Sequence, residues 1–187
     1  LIKEGEGTLT LSGANTYTGG FDLNAGTVKV SAGIYSGFGT GTLTINGGKI
    51  QTPNHATFTT ANDSVWNADF DLYRGITGTA TWNHDGTVTL GDDIAVRSTN
   101  NYFVLNLSEV IDEAGGSRSL SFTGGGLSVR LDAANTFTGG LTYDTGGTLF
   151  INNASAIGTG PFTIDTSCKI DNTSGSPITL STNNPQF

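Results

Sequence analysis

The sequence predicts an all-β chain wound as a β-solenoid. Three observations carry this: short strands of alternating pattern, a turn-rich composition, and an internal repeat of about 120 residues. Glycine is abundant (28 residues), proline scarce (4) and methionine absent among 187 residues. Thr, Asn and Ser recur throughout. β-Branched residues suit a pleated surface, and Gly and Asn suit tight turns. No stretch carries an amphipathic helical stripe of any length. The nearest candidate, Glu109 to Ala114, runs into Gly115-Gly116.

The strands read in order as Thr8-Leu9-Thr10-Leu11, Thr27-Val28-Lys29-Val30, Thr42-Leu43-Thr44-Ile45, Thr87-Val88-Thr89-Leu90 and Leu149-Phe150-Ile151. Turns such as Asn46-Gly47-Gly48 and Asp85-Gly86 bound them. Period-two alternation sends the aliphatic side chains to one face and Thr to the other. Spacings of 19 residues from Leu9 to Val28 and 15 from Val28 to Leu43 suggest one coil turn each, every strand stacked on the one before.

The repeat is carried by blocks in a constant order. Asn15-Thr16-Tyr17-Thr18-Gly19-Gly20 returns as Asn135-Thr136-Phe137-Thr138-Gly139-Gly140, 120 positions on. Gly39-Thr40-Gly41 returns as Gly158-Thr159-Gly160, and Lys49-Ile50 as Lys169-Ile170. Ser181-Thr182-Asn183-Asn184 echoes Thr60-Ala61-Asn62-Asp63, which extends the match into the tail. The chain is therefore expected to be one solenoid segment holding one and a half units, residues 1–119 and 120–187. Asn15 and Asn135 are expected to satisfy backbone groups at coil corners. Gly19, Gly20, Gly139 and Gly140 are expected to supply the positive φ that corners need. Residues 54–122 read as less regular, with longer corner loops, and Ser108 to Ser119 as a projecting loop.

These residues resemble the autotransporter-associated β-strand repeat, also called the passenger-associated transport repeat. The likeness lies in Gly7-Thr8-Leu9-Thr10-Leu11-Ser12-Gly13-Ala14-Asn15-Thr16-Tyr17-Thr18-Gly19-Gly20, followed by Asn24-Ala25-Gly26-Thr27-Val28. The second copy departs at Gly126 to Asp132, where the usual Thr and final Gly are missing. Val65 to Phe70 resembles a spacer between such repeats. The resemblance implies a right-handed parallel β-helix, the passenger region of a large secreted bacterial protein, at the cell surface or beyond it. There the repeat aids export and builds a stalk. It implies no catalytic or binding residue.

Charge and motifs narrow the remaining classes. The net charge is −8, with only 8 Lys and Arg, so nothing would neutralise nucleic-acid phosphates. No apolar run is long enough to span a bilayer as a helix. The chain opens at Leu1-Ile2-Lys3-Glu4 without a signal-peptide pattern and is expected to be a piece of something longer. With Cys168 as the single cysteine, no intrachain disulfide and no cysteine zinc site is expected. No cofactor and no metal is expected, and His55 and His84 read as surface histidines.

The expected role is a non-catalytic stalk or filament segment, partnered by adjacent repeats or by end-to-end copies. The first alternative is an adhesin or carbohydrate-binding segment that uses loops in 54–122, with Trp66, Tyr73 and Trp82 as glycan contacts. Tyr35, Phe38 and Tyr102 are further aromatics able to stack on sugars, against the plainer reading that they pack at corners. The second alternative is a polysaccharide lyase or hydrolase. For that, Asp92, Asp93 and Arg97 form the best set, provided that a turn brings the two carboxylates together. Glu109, Asp112 and Glu113 fall near one another in one loop, which reads as a solvated acidic surface and leaves cation binding by 109–118 open.

Overall fold

A computed structural model describes residues 1–33, 37–52, 55–75, 78–99, 102–164 and 168–181. Tyr35 and the tail match beyond Ser181 lie outside the described residues. The described residues wind through about seven full turns, which stack as eight layers. The first two hold β1 (Ile2–Lys3), β2 (Thr8–Leu11), β3 (Phe21–Leu23) and β4 (Thr27–Val30). The third holds β5 (Leu43–Ile45), β6 (Lys49–Thr52) and β7 (Thr57–Thr60). The fourth holds β8 (Ser64–Trp66), β9 (Phe70–Arg74) and β10 (Ala80–His84). The fifth and sixth hold β11 (Val88–Leu90), β12 (Ile94–Ser98), β13 (Phe103–Leu107), β14 (Ile111–Glu113), β15 (Leu120–Gly124) and β16 (Leu127–Leu131). The last two hold β17 (Leu141–Thr145), β18 (Thr148–Ile151), β19 (Phe162–Ile164) and β20 (Lys169–Asp171).

These strands build three sheets, the sides of a prism. Sheet 1 runs β1-β3-β5-β8-β11-β14, sheet 2 runs β2-β4-β6-β9-β12-β15-β17-β19, and sheet 3 runs β7-β10-β13-β16-β18-β20. Every pairing in the three sheets is parallel, as in β10 with β13, where Trp82 faces Leu105. The fold is a parallel β-solenoid, as the sequence predicts. Eight strands in sheet 2, spaced about 4.8 Å apart, give a column roughly 34 Å long.

Alternation fills the interior. In β10, Ala80, Trp82 and His84 are buried while Thr81 and Asn83 face outward. Register then stacks like on like. Phe70, Val96, Phe122 and Tyr143 form one inner column of sheet 2. Phe58, Trp82, Leu105, Val129 and Leu149 form one of sheet 3. Every member of both columns is at most 1% exposed. Each such side chain contributes about 1.5–3 kcal/mol relative to exposure. A strand of three to five residues buries too little by itself, so the stacking holds the windings together.

One expected pairing is wrong. Val28 stacks on Leu9, as expected, but its next partner is Ile50, 22 residues on, and not Leu43. Leu43 stacks on Phe21 in sheet 1. The 15-residue spacing therefore links neighbouring sides of the prism, and one full winding takes 19 to 26 residues here, as in Leu9 to Val28 and Ile94 to Leu120.

The central stretch also departs from expectation. Residues 57–131 make the most regular windings, with a strand on all three sides. Ser108 to Ser119 contributes β14 to sheet 1 and a short turn, and does not form a long projecting loop. The irregular sides belong to the repeat motifs. The first copy alternates between sheets 2 and 1, through β2, β3, β4, β5 and β6. The second alternates between sheets 3 and 2, through β16, β17, β18, β19 and β20. The same sequence block thus recurs one side further round the prism. Its local contacts recur with it. Thr40 N–H donates to Tyr17 O at 3.0 Å, and Thr159 N–H to Phe137 O at 3.1 Å. A Cβ on Gly41 would fall 2.3 Å from Thr18 O, and one on Gly160 would fall 2.3 Å from Thr138 O. Only glycine admits the chain that close.

Candidate functional surface

The Asn corners are hydrogen-bonded into the backbone. Asn135, 3% exposed, accepts from Ile111 N–H through Oδ1 at 2.8 Å and donates through Nδ2 to Ala156 O at 2.6 Å. It ties three successive windings together. Asn15, half-buried, donates to Gly37 O at 2.6 Å. Beside the motifs, Gly20 and Gly140 have φ of 79° and 104°. Gly19 and Gly139 are not among the positive-φ glycines; at Gly139 it is close approach that demands glycine, since a Cβ would meet Arg118 C at 2.2 Å.

The acidic side chains do similar work between windings. Asp63 accepts from Thr87 N–H and Oγ1–H at 2.9 and 2.8 Å. Asp69 accepts from Ala95 N–H at 2.8 Å and pairs with Arg97. Asp93 accepts from Ser119 N–H at 2.8 Å, while Asp92 meets Arg118 at 3.2 Å. Glu113 accepts from Arg118 N–H, Thr138 N–H and Thr138 Oγ1–H. Hydrogen bonds from Thr87 hold the Asp63 carboxyl below its ordinary range, and those from Ser119 do the same for Asp93. Desolvation works the other way at Glu113, but the donors of Thr138 and Arg118 outweigh it and pull the carboxyl down. Arg97 is occupied by Asp69, so the set Asp92, Asp93 and Arg97 is not brought together. Among the described residues no group of three His, Cys, Asp or Glu side chains is placed to hold a metal ion.

Two expected glycan contacts are corrected by burial. Trp66 and Trp82 are fully buried. Trp82 lies stacked on Phe58 at 5.5 Å between ring centroids and donates to Thr60 Oγ1. Trp66 packs edge-on against Phe70. Neither presents a face to a sugar, because both fall on the inward phase of their strands. Tyr73 faces outward from sheet 2 and is half-buried. Phe38 is fully buried, but Tyr102 is 64% exposed.

The sequence reading missed three groups. His84 is buried, not superficial: Nε2 lies 2.8 Å from Ser64 Oγ, and Gly86 N–H donates to Nδ1. Its position two residues after Trp82 in an alternating strand was the available signal. Asn62, 4% exposed, donates to Gly39 O and Gly41 O, bracing the first motif. An exposed ladder runs from Asn67 to Asn46 to Asn24 at 2.9 and 2.8 Å. Its spacing of 21 and 22 residues is one winding.

Stacked parallel windings, corner amides and carboxylates engaged with the neighbouring winding define the class as a β-solenoid scaffold. Residues 1–30 match the family model of the passenger-associated-transport-repeat. The resemblance seen in Gly7 to Val28 is therefore shown, and residues 1–30 carry a passenger-associated transport repeat. A relative is the adhesin BmaC autotransporter of Brucella suis biovar 1 (strain 1330), 40% identical over 52 residues. That match covers 28% of this chain and 2% of the relative, so the chain spans a small fraction of the relative's length. No solved structure matches the chain. A passenger repeat places the segment in a secreted or cell-surface bacterial protein.

Proposed function

We propose that this chain is a non-catalytic stalk segment of a bacterial surface protein, continued axially by further windings or by a second copy. The observation that carries the reading is the use made of its polar side chains. Asp63, Asp69, Asp93 and Glu113 each accept a backbone N–H from the following winding. A general acid needs a carboxyl held above its ordinary range; Asp63, Asp93 and Glu113 are held below it. The apolar column also reaches one end of the stack, where Ile170 stacks on the buried Leu149 and is 49% exposed. Strand edges there offer free backbone groups to another winding.

Sedimentation velocity over a range of concentrations tests this. Axial association is expected to grow with concentration and to be suppressed by Ile170→Asp. A species that stays monomeric at millimolar concentration contradicts axial continuation. Turnover of an acidic polysaccharide that is lost in Asp93→Asn contradicts the non-catalytic reading. A second reading, adhesion through a glycan, is favoured by one exposed aromatic, Tyr102.

A further inference from the structure

Tyr102 holds a backbone conformation that glycine usually supplies. It opens the corner from sheet 2 into β13, and the pairing of Phe103 with Leu127 sets it beside Gly126. The pairing of Val129 with Leu149 sets Gly126 in turn beside Gly146. Gly126 has φ of 22°, and Gly78, at the same corner one winding earlier, has 85°. Tyr102 has φ of 69°, a left-handed conformation that L side chains other than Asn and Asp rarely adopt. Its backbone is pinned on both sides: N–H donates to Gly126 O at 3.2 Å, and O accepts from Ala80 N–H at 3.1 Å. The ring gains little burial in return, since the residue remains 64% exposed. Backbone strain at a position whose side chain stays this exposed points to function.

The surroundings say what kind. Arg74, from the winding before, lies over the ring at 5.6 Å from its centroid, with its guanidinium held by Gly78 O. In the windings after lies a notch of about 260 Å³ that Gly126, Gly146 and Gly147 leave free of side chains. Ser128, Thr148 and Lys169 line it. They are the first outward residues of β16, β18 and β20, one above another. Ser128 Oγ accepts from Thr148 N–H at 3.1 Å, which leaves its own proton to donate outward. Lys169 is exposed and has no ion-pair partner among the described residues.

We propose that this notch binds one sugar residue of a polysaccharide, its C–H face stacked on Tyr102 and its hydroxyls and carboxylate held by Ser128, Thr148 and Lys169. A flat ring bordering a shallow groove of hydroxyl groups suits a saccharide, which is polar at its rim and apolar on its faces. The ammonium of Lys169 favours a uronic acid over a neutral hexose. The site adds to the stalk reading and is tested separately: Lys169 shares β20 with the end residue Ile170, but the stacking ring of Tyr102 lies on the flank, beside β13, three strands away in sheet 3.

The test is titration of the whole chain with oligogalacturonate and with cello-oligosaccharide, followed by calorimetry or NMR, together with melting of each variant. Oligogalacturonate is expected to bind more tightly. Tyr102→Gly should weaken binding at least about tenfold while its melting temperature stays level or rises by roughly 2–4 °C, as the left-handed strain is relieved. Lys169→Gln should weaken oligogalacturonate more than cello-oligosaccharide. Three results would overturn the proposal: no binding of either oligosaccharide at millimolar concentration, binding that Tyr102→Gly leaves unchanged, or a melting temperature that falls in Tyr102→Gly, which would make the ring structural.

Discussion

Acidification should loosen this solenoid through one side chain, His84. Its imidazole is wholly buried, lying 5.2 Å from the Trp82 ring and 6.3 Å from that of Trp66 between centroids. Burial pushes its pKa down from 6.5 to about 4, and the nearby Asp85 and Asp63 charges oppose this only in part. With Gly86 N–H donating to Nδ1 at 3.3 Å, Nε2 carries the hydrogen and donates to Ser64 Oγ. A second proton would have to displace the Gly86 hydrogen bond inside an apolar wall. The unfolded chain takes up that proton near pH 6.5. The folded chain refuses it until about pH 4. Stability due to the neutral imidazole is therefore complete above 6.5 and declines as the pH falls toward 4. Each unit in that window is worth up to about 1.4 kcal/mol, so going from pH 7.5 to 4.5 should cost about 2.5 kcal/mol. Urea midpoints measured at pH 4.5, 5.5, 6.5 and 7.5 read this directly. In His84→Gln the slope between 4.5 and 6.5 should flatten, whatever the variant's absolute stability. Equal slopes in the wild type and the variant would refute the assignment.

Further acid sensitivity should appear below about pH 4. There the lowered carboxyls of Asp63, Asp93 and Glu113 give up the stability that they confer above their unfolded pKa values. Asp93→Asn, followed by thermal melting at pH 3 and 7, should narrow the difference between the two. Gly41→Ala and Gly160→Ala should each cost about 1–3 kcal/mol in urea denaturation, since the new methyl meets a backbone oxygen. Gly13→Ala, with nothing within 4 Å, should stay within about 0.5 kcal/mol. Asn135→Ala should destabilise by about 2–4 kcal/mol, because it leaves Ile111 N–H and Ala156 O unpaired in a buried place. Asn15→Ala should cost less, as it loses one bond at a half-buried corner.

Strands were legible because alternation is a local property. Leu9 and Leu11, Val28 and Val30, and Leu43 and Ile45 all lie in strands at the expected places. Which side of the prism each strand occupies is not local, and this misplaced Leu43 as the partner of Val28. The aromatic residues of 54–122 suggested exposed loops by their bulk. Their phase said otherwise: Trp66 follows Ser64 inward and Trp82 follows Ala80 inward. His84 followed the same phase and was misjudged because histidine is usually polar surface. Tyr102 could be named as an aromatic but not singled out, since its glycine-like φ depends on its neighbours in adjacent windings and not on its own sequence.

The stacking register is the claim on which all of this rests, and cysteine pairing reads it directly. With Cys168→Ser as background, Ser121→Cys with Thr142→Cys and Thr142→Cys with Thr163→Cys place thiols on outward residues paired across adjacent windings of sheet 2. Strand spacing puts such pairs within disulfide reach. Both pairs should oxidise within the monomer, as shown by mass and by mobility on non-reducing gels. Thiols that remain free, or that link only between molecules, would contradict the parallel solenoid.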